Sequence, residues 1–257
     1  MLKSLLKKIM KPIAIQFKPQ LEMVAQAECA LSRKWVANSH KRLKWIQWAL
    51  PPQPEHFDHQ IDLFHQFMDH RSSYWTERGV FGSLALKGGK VLELACGDGF
   101  NARNFYSLRS MAVVACDFDP SALKIAKAKN SAPNVTYLLA DIRTDMPQGT
   151  FENIVWDAAI EHFTPAEIET LLGEMKMRLT PDGILSGYTL VDNQTGEKQL
   201  THHEYEFRDK EDLRRFFLPH FKNVTVFETV FPDRHNLYFW ASDGPVPFAK
   251  DWQFALS

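Results

Sequence analysis

The sequence predicts an α/β fold: a mostly parallel sheet with helices on both faces, preceded by a helical N-terminal extension. Three observations carry this. Short β-rich apolar runs alternate with helical stretches between Lys90 and Leu190, the pattern of strands joined by helical crossovers. Two further runs, Val224–Val230 and Asn236–Ala241, are joined by a short turn around Pro232–Arg234, and only an antiparallel pair closes over so short a link. Residues 1–50 carry no such runs and read as helices.

Taken in order, the N-terminal helices break near Pro12 and Pro19. Leu2, Leu5, Leu6 and Ile9 fall on one face, with Lys3, Lys7 and Lys8 between them. That pattern suits a helix lying on an anionic membrane, or one packed on its own domain. Pro51, Pro52 and Pro54 form a stiff break. A helix over 55–70 follows, with Phe57, Ile61, Phe64 and Met68 as its apolar stripe. Its His56, His59, His65 and His70 mix with Asp58, Asp62 and Asp69, which reads as a solvated face rather than a metal site. The expected strands are then Lys90–Ala95, Met111–Cys116, Asn134–Ala140, Asn153–Trp156 and Ile184–Leu190. The chain is expected to divide into a helical extension or lid, 1–74, and an α/β domain, 75–257.

Composition narrows the class. With 45% hydrophobic and 24% charged residues, the 257-residue chain is expected to pack a core. Cys29, Cys96 and Cys116 are an odd, sparse set, which fits a reducing cytoplasm rather than a disulfide framework. No apolar run is long enough to span a membrane. Residues 1–50 hold ten Lys/Arg against Glu22 and Glu28, which is +8 and leaves −9 on the rest of a chain of net charge −1. Such a basic arm suits peripheral contact with an anionic surface, or a merely solvated helix.

The chemistry concentrates after the first strand. The run Ala95-Cys96-Gly97-Asp98-Gly99-Phe100-Asn101-Ala102 lets the backbone turn tightly into a helix and lets a ligand approach. Asp117 ends the next strand twenty residues after Gly97, where a carboxylate can hold both ribose hydroxyls. This much also suits a nicotinamide dinucleotide. Charge separates the two. A diphosphate wants a positive helix end and no anions nearby, whereas Glu93 and Asp98 flank this turn. S-adenosylmethionine has no phosphate and carries a sulfonium and an ammonium, so carboxylates favour it. Asp141, after the third strand, is placed to accept from the adenine amino group.

With E-x-x-C-G-x-G at Glu93–Gly99, an acid at Asp117 and A-D-I at Ala140–Ile142, the sequence resembles the class I S-adenosylmethionine-dependent methyltransferases. Residues 151–163, ending Ile160-Glu161-His162-Phe163, resemble their fourth-strand motif. Leu179–Leu185 resembles their L-x-P-G-G-x-L turn, with Asp182 for the first glycine. The resemblance covers about residues 75–241. It implies a Rossmann-like, doubly wound, seven-stranded sheet whose last strand runs antiparallel. It also implies S-adenosylmethionine as cofactor, with Glu93, Ala95, Gly97, Asp98 and Gly99 around the methionine and ribose. Asp117 would meet the ribose, Phe118 the adenine face, Asp141 and Ile142 the adenine edge, and Asp157 the methionine amino group. Trp75 and Arg78 would be lid contacts, Arg78 meeting the cofactor carboxylate.

Methyl transfer is an in-line displacement, and alignment alone can contribute roughly 7–11 kcal/mol. A base is needed for a hydroxyl or protonated amine. His162, just past the fourth strand, is the candidate, with Glu161 beside it. His203, in His202-His203-Glu204-Tyr205-Glu206-Phe207, is a substrate-side candidate, since a similar stretch covers the acceptor pocket in many relatives. One subgroup, the small-RNA 3′-terminal 2′-O-methyltransferases, has E-x-x-E-H and binds a divalent metal. Here Ala158 replaces its first glutamate, so no metal is expected. The expected acceptor is a hydroxyl or amine of a small molecule or glycan. An RNA 2′-O-methyltransferase is the enzymatic alternative, although too few cations argue for nucleic acid. A non-catalytic S-adenosylmethionine-binding protein is the third.

Overall fold

The computed structural model describes residues 15–50, 67, 71–192, 200–232 and 234–248. The pattern at residues 2–9, and the expected helix over 55–70 apart from Phe67, lie outside them. The chain divides into two units, 1–54 and 55–257.

In the first unit, helix α1 spans Lys18–Ala49. Its 32 residues make it about 48 Å long at 1.5 Å per residue. Pro19 lies in the first turn, where a missing N–H costs nothing, so the break expected there is a helix start.

In the second unit, α2 (Tyr74–Leu84) leads into β1 (Lys90–Leu94), α3 (Phe100–Asn104), β2 (Ala112–Asp117), α4 (Pro120–Lys129), β3 (Val135–Leu139) and β4 (Phe151–Asp157). Then come α5 (Pro165–Arg178), β5 (Leu179–Leu190), α6 (Lys210–Phe217), β6 (Asn223–Phe231) and β7 (Arg234–Ser242). The boundary expected at 74/75 falls inside α2.

The seven strands form one sheet in the order β3-β2-β1-β4-β5-β7-β6. The first five are parallel, and β7 runs antiparallel to both β5 and β6. The expected Rossmann-like, doubly wound sheet is therefore what the chain forms, with its C-terminal pair antiparallel. Side chains alternate across it. Val91, Val113, Ala115 and Val155 face Ala102, Tyr106 and Leu123 of the α3–α4 layer. Leu92, Leu94, Ile154, Trp156 and Leu185 face Ile168, Leu172 and Phe217 of the α5–α6 layer. Burial of each such aliphatic contributes roughly 1.5–3 kcal/mol.

Local chemistry sets the helix starts. Asp119 caps α4 by accepting from the Ser121 N–H at 2.7 Å, with Pro120 in the first turn. Thr164 and Glu167 form a reciprocal capping box at α5. Asp209 caps α6 through the Asp212 N–H. The strand expected from Ile184 begins earlier, because Leu179 already pairs with Phe151, and the register then shifts before Asn153 meets Ile184.

Candidate functional site

Five parallel strands bring their carboxyl ends to one edge of the sheet, and the loops there hold the predicted residues. After β1, Ala95, Gly97 and Gly99 all have positive φ, at 53°, 54° and 72°. Such a turn is costly for alanine and free for glycine. At Gly99 a Cβ would run into the Tyr137 ring, so glycine is required twice over. Tyr137 in turn donates to the Asn130 carbonyl at 2.7 Å, and the Asn130 amide donates to the Asp98 carbonyl at 2.7 Å. Asp117 accepts from the Gly97 N–H at 2.8 Å and from the Asp119 N–H at 2.9 Å. The acid read as a ribose ligand thus also locks the glycine turn to β2. Asp98 is buried and accepts from the Phe100 N–H at 3.1 Å, fixing the start of α3. Phe118 is exposed, Asp141 is half-buried and Ile142 is buried, all on the loops after β2 and β3.

Beneath this loop lies a buried charge cluster. Glu93, Asp98, Asp117 and Asp157 are all enclosed. Arg78 from α2 binds Asp157 through Nη2 at 2.6 Å and Nε at 2.8 Å, and the Asn101 amide donates to the same oxygen at 2.9 Å. Burial alone would lower the Arg78 pKa, but Asp157 overrides it and raises it. Burial pushes the Glu93 carboxyl well above the usual range, and Asp157 pushes it further. Glu93 Oε2 and Asn101 Oδ1 are buried acceptors without a hydrogen-bond partner among the described residues. Unmet acceptors in an acidic enclosure fit an ammonium and a sulfonium, the two cations of S-adenosylmethionine. They do not fit a diphosphate. Arg78 and Trp75, expected as lid contacts, are buried, with the Arg78 guanidinium 4.9 Å from the Trp75 ring. Burial also pushes the Cys116 thiol up to about 12.

A second cluster follows β4. Ala158, also at positive φ, turns the chain into a 3-10 turn over Ile160–His162. Glu161 is buried and accepts from the Thr189 hydroxyl of β5 at 2.9 Å. Its carbonyl accepts from the Glu204 and Tyr205 N–H groups, which ties the later His-rich stretch onto this turn. His203 is buried, and its Nδ1 lies 2.5 Å from Glu206 Oε1. His162 is half-buried, with its Nδ1 3.2 Å from the His202 carbonyl. One potential ligand atom from each of Glu161, His162 and His203 lies within 4.8 Å of the others. The sequence reading expected no metal here; the structure nonetheless gathers these three groups.

The structure therefore gathers Glu93, Asp98, Asp117, Asp157 and Arg78 into one cluster and Glu161, His162 and His203 into a second, and leaves Phe118, Asp141 and Ile142 on separate loops. Sequence reasoning missed Asn101, Thr189, Tyr188 and Arg234. Asn101 stood within the glycine run, and Thr189 and Tyr188 looked like ordinary strand residues. Arg234 was read as part of a turn.

This fold and these loops define a class: an α/β domain whose sheet edge carries a glycine turn over a buried acidic cluster. Residues 91–183 match the methyltransferase-domain family. The chain is 28% identical to the cyclopropane-fatty-acyl-phospholipid synthase of Escherichia coli K12, over 55% of this chain and 41% of that protein. It is 33% identical to an uncharacterized methyltransferase of Synechocystis, over 43% and 50%. It is 27% identical to the ribosomal protein L11 methyltransferase of Aliivibrio salmonicida, over 63% and 56%. The chain spans about half the length of these curated relatives. Among solved structures, a DhpI complex with S-adenosylhomocysteine superposes with a TM-score of 0.55 at 17% identity, covering 70% of this chain and 90% of that one. The N-methyltransferase NodS of Bradyrhizobium japonicum, also bound to S-adenosylhomocysteine, gives 0.55 at 14%, covering 70% and 92%. Residues 91–183 are a methyltransferase domain on a fold shared with S-adenosylmethionine-dependent enzymes, which supports S-adenosylmethionine as the cofactor.

Proposed function

We propose that the protein methylates a hydroxyl or amine of a small molecule or glycan, with His162 as general base. The observation that carries this is the His162 hydrogen bond. A carbonyl only accepts, so the His202 carbonyl fixes the proton on Nδ1 and leaves Nε2 as a lone pair. Bound S-adenosylmethionine would supply the methyl group, with the neutral thioether as leaving group. Glu93, Asn101 and Asp157 would hold its ammonium, Asp117 its ribose, and Asp141 with Ile142 its adenine edge. His162 Nε2 takes the acceptor proton as the new bond to the methyl carbon forms. Glu161, fixed by Thr189, and His203, fixed by Glu206, shape the acceptor side.

The test begins with titration of S-adenosylhomocysteine and, separately, NAD⁺. Binding of the first alone supports the cofactor assignment, and binding of NAD⁺ removes it. His162→Ala should then lower kcat by about 10²–10⁴-fold while leaving S-adenosylhomocysteine affinity intact. Equal loss of both would exclude the base.

A second reading rests on the Glu161, His162 and His203 trio. Each histidine places its Nδ1 beside an oxygen, the usual support for a metal-ligating ring. These three residues would hold a divalent cation that polarises an acceptor hydroxyl, as on an RNA 3′-terminal ribose, though Ala158 offers no fourth ligand. Activity lost to EDTA and restored by Mg²⁺ or Mn²⁺ would favour it over the base.

For the first unit we propose peripheral contact with an anionic surface from a cytoplasmic location. No described helix is long and apolar enough to cross a membrane. The six Lys/Arg of α1 face two acids in its sequence, and Trp35 and Trp45 are exposed. Co-sedimentation with phosphatidylglycerol but not phosphatidylcholine vesicles would support it.

A further inference from the structure

Arg234 opens β7 at the same sheet edge as the cofactor loops, since Leu190 at the end of β5 pairs with Asn236. Its guanidinium lies 4.0 Å over the Tyr74 ring. Nε and Nη2 donate to the Tyr188 hydroxyl at 3.0 and 2.7 Å, and Nε also to Asn236 Oδ1 at 3.2 Å. These partners are neutral. No carboxylate among the described residues pairs with Arg234, and those around it are engaged. Asp157 holds Arg78, Glu77 accepts from Ser73, Thr229 and Tyr238, and Glu228 holds Lys210 and His235. A half-buried guanidinium thus has its Nε side held on a phenol and its Nη1 without a hydrogen-bond partner among the described residues. A guanidinium fork of this kind matches an oxyanion in two-point contact.

We propose that Arg234 anchors an anionic oxygen group, a carboxylate or phosphate monoester, on the methyl acceptor. The proposal rests on the methyltransferase reading and narrows its substrate class to acidic small molecules or acidic sugars. Placement favours the acceptor over the cofactor's own carboxylate. β7 stands three strand positions from β1, roughly 14 Å at the usual spacing, on the far side of β4 from the nucleoside loops. Tyr188, which carries Arg234, pairs with Asp157 at the end of β4, and the next residue, Thr189, fixes Glu161. Arg234 therefore stands with Arg78 against the Tyr188 ring, beside the carboxyl end of β4.

The test offers the full chain S-adenosylmethionine and a panel of hydroxy- and amino-substituted carboxylic acids and phosphate monoesters. Each is paired with its amide or neutral alcohol, and methylated product is read by mass. Wild-type kcat/KM should favour the anionic member on the order of tenfold or more, and the two anionic arms tell carboxylate from phosphate. Arg234→Gln should bring that ratio to near one while S-adenosylhomocysteine still binds as in wild type, and Arg234→Lys should keep part of it. Equal turnover of acids and neutral partners overturns the proposal alone, as does a preference that survives in Arg234→Gln. A matching loss of S-adenosylhomocysteine affinity in that variant also overturns it, by giving the arginine to the cofactor. No turnover on any member, with the cofactor bound, would remove the catalytic reading and this one together.

Discussion

Glu93 shows at the scale of one residue why a binding site destabilises the protein that contains it. Its carboxylate is buried beside three other acids, and one oxygen lacks a partner. A carboxyl whose folded-state pKa is raised contributes stability below its unfolded value. That contribution is lost as pH rises through the folded-state value. The ligand-free protein should therefore lose stability on going from the ordinary glutamate range to neutral pH. Glu93→Gln should flatten that loss and raise the ligand-free Tm by a few degrees at pH 7, about 1–2 kcal/mol. The same change should weaken S-adenosylhomocysteine on the order of tenfold or more, because the ammonium loses its counter-charge. Thermal unfolding across pH, with and without ligand, reads both effects. An unchanged ligand-free Tm together with full affinity would remove Glu93 from the site. The sequence already showed Glu93 flanking the turn, but not its depth or its missing partner. Those depend on Arg78 binding Asp157 instead of Glu93, a choice made between residues 79 positions apart.

At the scale of elements, strands were legible because β-rich runs and short links have local causes. All seven fell within a few residues of their expected places. The early start of β5 at Leu179 was hidden, since Thr180-Pro181-Asp182-Gly183 reads as a turn and only pairing with Phe151 makes Leu179 part of the sheet. The glycine turn was legible for the same local reason as the strands. Its clamp by Asn130 and Tyr137 was not, because those residues come from α4's end and β3. Two substitutions separate turn from scaffold. Gly99→Ala meets both a positive φ and the Tyr137 ring, and should cost roughly 1–3 kcal/mol and abolish measurable S-adenosylhomocysteine binding. Thr164→Ala removes the α5 capping box, and should cost about 1 kcal/mol with affinity unchanged. Denaturant titration and calorimetry on both variants make the comparison. Equal affinity in the two would mean that the turn does not form the cofactor site.

For the whole molecule, the question is which residues the methyltransferase domain needs. The sequence placed the division at 74/75, where the motif-bearing region seemed to begin, yet the units divide at 54/55. The proline run ends at Pro54, the last residue of the first unit, and nothing local marked Tyr74 as part of a core. Tyr74 is 2% exposed and packs its ring against Trp75 and Arg234. Ser73 donates to Glu77 at 2.8 Å, and its carbonyl accepts the first free N–H groups of α2. A fragment 55–257 should therefore fold and bind S-adenosylhomocysteine with wild-type affinity. A fragment 75–257 loses Ser72, Ser73 and Tyr74, and should be less stable by on the order of 3 kcal/mol. Circular dichroism melts and ligand titration distinguish the two fragments. If 55–257 failed to fold, the first unit would be part of the domain's stability rather than an accessory to it. The charge asymmetry of +8 against −9 would then be better understood as an intramolecular attraction than as a means of reaching an anionic surface.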